Sequence, residues 1–223
     1  MTAFADDAIE LFGIGFHLTE DRKNPERWEF VAALGVSSVF NCVRSSWELF
    51  FVGYYVQALA LLRTATEHMG LIWYIRDHPD EADDWLDFSK PQPMKAGTVL
   101  NEVFKKDLIA SGHLYEIRQL LHQFAHQDNL ALGLIYEDES PGFATRVGPC
   151  LDPRAFSNGS YFMVILSGLG LQAFGTWAGR LNNASAWNEA VEDYLQRIYA
   201  WNDRVAERYV HLVESMKREE AND

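Results

Sequence analysis

Residues 49–75 read LFFVGYYVQALALLRTATEHMGLIWYI. Placed at helical intervals, this stretch has apolar side chains on every side, among them Phe50, Tyr54, Leu59, Leu62, Ile72 and Trp73. A helix that is apolar all round belongs in the centre of a bundle. Arg63, Glu67 and His68 are set into it. Burying an unpaired charge is strongly unfavourable, so Arg63 and Glu67 need partners. They lie one turn apart on a face shared with Val56, Ala60, Gly70 and Tyr74. Base-before-acid is the weaker order for such a pair, which points to partners on a second helix.

Helical patterning continues outward in both directions. A first segment, Phe4 to Leu18, ends in the polar run Thr19 to Pro25, and helical residues then run from Glu26 to Asp77. Ser45-Ser46 with Glu48 offers a capping point, dividing that run into helices over 26–44 and 46–77. His78-Pro79 stops the second. The segment Asp77 to Asp87 holds six acids and no base, the pattern of a short solvated helix. Helices are expected over 94–109 and 113–127, then a β-hairpin near 130–148 around Asp138-Glu139-Ser140-Pro141-Gly142. Two further helices, 154–182 and 185–219, complete an all-α, multi-helix bundle of six to seven helices with one small β-hairpin, forming a single helical domain over 1–223.

Composition narrows the function classes. The chain has 223 residues, 19 basic against 32 acidic, for a net charge of −13. Such a field repels phosphate, so DNA is excluded as a partner and RNA is disfavoured. Cys42 and Cys150 are too few for a disulfide framework, which places the chain in a reducing cytoplasm. The start, MTAFADDAIELFG, has acids where an export signal has bases. Tyr161 to Gly179 contains nineteen residues without a charge, close to a membrane-spanning length, and includes a Gly175-x-x-x-Gly179 pair. Ser167, Gln172 and Thr176 interrupt it, and no lysine/arginine cluster marks an inner side, so a buried bundle helix or a homo-oligomer interface is expected through 161–179 and no membrane span.

Candidate chemistry gathers on HLYEIRQLLHQFAHQ, residues 113–127. Leu114, Ile117, Leu121 and Phe124 make a core face; Tyr115, Arg118, His122 and His126 form a polar stripe along its border. This stripe can supply the partners that Arg63 and Glu67 need. His122 and His126, one turn apart, could share a metal ion with Glu67, although the H-E-x-x-H arrangement is absent. No phosphate-cradling glycine loop is present, no nucleophilic triad is recognisable, and no cofactor is implied.

The run Gly53 to Glu67, with its G…A…L-x-R-x-x-x-E form, followed by Tyr74-Ile75 and an acidic helix and later by Tyr115, Leu120 or Leu121 and His126, resembles a group of uncharacterised bacterial helical proteins. That group is similar to the HEPN domains, helical bundles that include toxin and phage-defence ribonucleases. The resemblance covers about residues 45–150. It implies ribonuclease chemistry at Arg118 with His122 or His126, histidine acting in acid–base transfer and arginine on developing phosphate charge. Three residues separate Arg118 from His122 and seven separate it from His126, so neither pair has the R-x(4–6)-H spacing of those nucleases. The leading expectation is therefore a non-catalytic binding module that self-associates, with Arg63, Glu67, Tyr115, Arg118, His122 and His126 as binding candidates. A divergent HEPN-like ribonuclease and a metal-binding bundle are the alternatives.

Overall fold

The computed structural model describes residues 1–20, 24–91, 93–94, 98–100, 102–103, 121–122, 149, 153–178 and 183–220. Among these residues the chain is an all-α bundle without strands. Helix α1 spans Thr2–Thr19, α2 Arg27–Phe51 and α3 Tyr55–Asp77. A 3-10 turn, Pro79–Glu81, leads into the short α4, Ala82–Leu86; α5 spans Pro153–Ala178 and α6 Ser185–Glu220. The hairpin expected near 130–148 and most of the helices expected over 94–109 and 113–127 lie outside the described residues.

The boundaries follow local chemistry. At the start of α2 the Glu29 carboxylate accepts the Glu26 N–H at 2.6 Å, and the Glu26 carboxylate accepts the N–H of Glu29, a reciprocal cap on two otherwise orphaned donors. At its end the structure corrects the division expected at Ser45-Ser46: α2 runs on to Phe51. There Gly53 takes φ 86°, a left-handed conformation that side chains resist. The Gly53 N–H reaches the Phe50 carbonyl at 3.1 Å and the Tyr54 N–H the Leu49 carbonyl at 2.9 Å, the paired bonds of a Schellman stop. Ser46 is a bridge instead of a cap: fully buried, it donates to the Ala58 carbonyl of α3 at 2.9 Å.

Helix α3 is buried on several sides, as its all-round apolarity requires, and packs against both α2 and α5. Helix α5 is the hub, touching α1, α2, α3 and α6. By length and composition Gly159–Ala178 could cross a membrane, with mean hydropathy 1.3, yet 61% of it is buried inside the bundle. Its lack of side chains at glycine lets neighbours approach: a Cβ on Gly168 would fall 2.7 Å from Ile198 and 3.0 Å from Leu195 of α6. Its polar residues are used internally as well. The Trp47 indole donates to the Ser167 hydroxyl at 3.0 Å, and that hydroxyl donates to the Met163 carbonyl at 2.7 Å.

Helix α6 ties back to the first helix. Trp187 donates to the Leu11 carbonyl at 2.7 Å, Tyr194 to the Phe4 carbonyl at 3.1 Å, and Arg197 pairs with Asp7 at 2.7 Å. Phe174 of α5 lies at this junction, ringed by Phe12, Phe16, Trp177 and Trp187 at centroid distances of 5.0–5.9 Å. One apolar cluster thus draws on every long helix.

Candidate functional site

Along one face of α3 lie Arg63, Glu67, Gly70 and Tyr74, the face marked out by the sequence. Arg63 Nη2 meets Glu67 Oε1 at 3.1 Å, the two side chains 23% and 19% exposed. The pair thus closes along its own helix despite the unfavourable order of the two charges. Further along, Leu100 occupies the space a side chain at Gly70 would fill, so Leu100 lies on the C-terminal half of this face. There the Tyr74 hydroxyl donates to both oxygens of Glu81, at 3.0 and 2.9 Å, and its ring stacks on His78 with centroids 4.2 Å apart. Burial, with the bond to Glu81 and the nearby acids adding to it, pushes the Tyr74 phenol up to about 12.

His122 is helical and half-buried; Tyr115, Arg118 and His126 lie outside the described residues. His68, also on α3, turns to another side, with its Nδ1 2.9 Å from the Thr64 carbonyl. Among the described residues no three histidine, cysteine, aspartate or glutamate side chains are grouped to hold a metal ion. Burial pushes the Cys42 thiol up, away from the thiolate a nucleophile needs.

A second feature escaped the sequence. Between α2, α3 and α4 lies a hollow of about 220 Å³. Its walls include Val31 and Leu34 from α2, His68 and Leu71 from α3, and Trp85 from α4. The turn after α4 supplies the rest. Asp87 accepts the Ser89 N–H at 3.1 Å and holds Lys90 Nζ at 3.0 Å, which folds the chain back and leaves Phe88 82% exposed at the rim. The Ser89 hydroxyl and Lys90 together hold the Asp87 carboxyl below its usual range. Leu34 is 55% exposed, and Phe30, one turn earlier on the same face of α2, is 48% exposed. Among the described residues the buried Trp85 indole nitrogen finds no acceptor.

The missed signal is visible in α2 afterwards. Its core residues Val36, Val39, Val43 and Phe50 recur at helical spacing, while Phe30 and Leu34 fall on the opposite side. Apolar residues on both sides of an amphipathic helix mark a second surface. Comparison with known proteins returns no matching family model, no matching curated protein and no matching solved structure.

Proposed function

We propose that this chain is a non-catalytic interaction module, a rigid helical frame that binds other polypeptides and self-associates. The observation that carries this reading is the hollow beside α4, rimmed by exposed Leu34 and Phe88, with exposed Phe30 one turn from Leu34 on the same face of α2. Large apolar groups gathered around an unfilled space are a recurring feature of interaction surfaces. Self-association draws on what the uncharged stretch leaves outside the bundle, Tyr161 at its head; the Gly168 side is already covered by α6.

Light scattering across a wide concentration range tests the self-association. A mass that climbs above the single-chain 25.5 kDa, and falls back in Tyr161→Asp, is expected. A single-chain mass at every concentration removes that part. Cleavage of RNA by the purified protein, abolished by His122→Ala, would overturn the non-catalytic reading.

A further inference from the structure

We infer that the hollow between α2, α3 and α4 docks a basic amphipathic helix, one of whose apolar side chains enters the cavity. This rests on reading the hollow as an interaction surface and adds the chemistry of its occupant.

Size decides first against a small molecule. Sites for ligands and cofactors enclose roughly 300–1,000 Å³. Here the space is about 220 Å³ and open to the rim. A hollow of that size suits a single apolar anchor from a partner, with the surrounding side chains excluding water around it.

The rim then selects a helix. Phe30 and Leu34 are spaced one helical turn apart, and Phe88 faces the cavity from across it. A partner helix presents its own anchors at the same one-turn intervals, so an apolar stripe can bridge both sides of the hollow.

Charge selects the sign of the partner. Asp84 and Asp87 line the hollow, and Asp77 at the end of α3, Asp80 and Glu81 in the 3-10 turn and Asp83 in α4 lie on the elements leading to it. The bases that meet them are Arg27 on Asp83 at 2.6 Å, Arg76 on Asp77 at 2.7 Å, and Lys90 on Asp87 and Asp84 at 3.0 and 3.9 Å. Among the described residues here the acids outnumber the bases, and the whole chain carries −13. A second copy docked here would set acid against acid, which disfavours the pairing. Lysines or arginines flanking an apolar stripe meet complementary charge instead.

The test titrates the full chain with three synthetic helical peptides of equal length. One carries leucine and phenylalanine on one face and lysine elsewhere. The second replaces each lysine with glutamate, and the third keeps the lysines but replaces the apolar face with serine. Calorimetry at low and high salt reads the affinities. The first peptide is expected to bind, more weakly as salt rises, and to lose at least about tenfold in affinity in Leu34→Asp and in Phe88→Asp. Those variants make the surface more acidic, so a general attraction between a basic peptide and an acidic protein would strengthen instead. Phe88→Ala, which adds no charge, should show the same loss, and circular dichroism should find all three variants folded, since the side chains are exposed.

If the glutamate peptide binds equally well and loses affinity in the same variants, the surface stands and the basic partner is wrong. If the lysine–serine peptide matches the first, or if no variant alters binding, both the inference and the interaction surface fall. A dimer in the parent that Leu34→Asp dissolves makes the occupant a second copy and overturns the inference.

Discussion

Helix α5 and the hollow beside α4 are built from the same materials, aliphatic side chains and tryptophan, and the bundle treats them differently. Around α5 side chains of the chain itself close in: Ile198 and Leu195 over Gly168, and Phe12, Phe16 and Trp187 around Phe174. Two indoles packed beside it have acceptors, Trp47 at Ser167 and Trp187 at the Leu11 carbonyl. At the hollow, Leu34 and Phe88 stay in solvent and the buried Trp85 indole nitrogen has no acceptor among the described residues. Apolarity in a sequence therefore does not say where a core lies. What separates the two is how closely side chains of the chain itself close over the apolar surface.

Substitutions can break this contrast. The largest effect is expected from Phe174→Ala, which opens a cavity at the junction of α1, α5 and α6 and should cost about 3–5 kcal/mol. Urea unfolding measures it, and a loss within about 0.5 kcal/mol, the range of ordinary surface changes, would mean that the junction is not packed as described. Next comes a matched pair of indole deletions. Trp47→Phe removes a satisfied buried donor and packing together and should cost about 1–3 kcal/mol. Trp85→Phe removes a donor that has no acceptor and should cost less than the first change, or stabilise, because an unsatisfied buried polar group is itself destabilising. Equal losses for the two would erase the difference between the regions.

A smaller effect appears with alkali. The folded-state value of the Tyr74 phenol, about 12, lies above the ordinary tyrosine value of about 10. Stability from keeping it neutral is complete below the unfolded value and is lost as pH rises from about 10 through about 12. Tyr194, raised mainly by burial, loses stability in the same direction. Tyr74→Phe should therefore flatten only part of the alkaline decline, measured as unfolding free energy against pH. An unchanged slope would show that Tyr74 does not titrate with folding.

Much of the frame was legible from local signals. Pro79 closes α3 and Pro153 opens α5, and the all-round apolarity of 49–75 placed α3 at the centre. The α2–α3 break was misplaced because serine looks like a cap wherever it precedes helical residues. Ser46 spends its hydroxyl across the helix pair, and the true stop is Gly53 with its positive φ. Arg63 and Glu67 were recognised as a pair, and at close range on one half-buried face they meet directly. Of the other candidates, Tyr115, Arg118 and His126 lie outside the described residues. The hollow was not legible at all. It exists only where α2, α3 and the turn after α4 converge, and Phe88 in sequence is one more apolar residue in an acidic segment. Local patterning reports what a helix buries, whereas an unfilled space depends on how three successive elements pack in space.

Hydroxyl-radical footprinting of the native protein, read residue by residue by mass spectrometry, tests the central contrast most directly. Phe88 and Leu34 are expected to react as freely as the exposed Tyr199, while Phe174 and Trp47 stay protected. Protection of Phe88 and Leu34 equal to that of Phe174 would mean the hollow is already filled in the isolated chain, and the account of an open docking surface would be wrong.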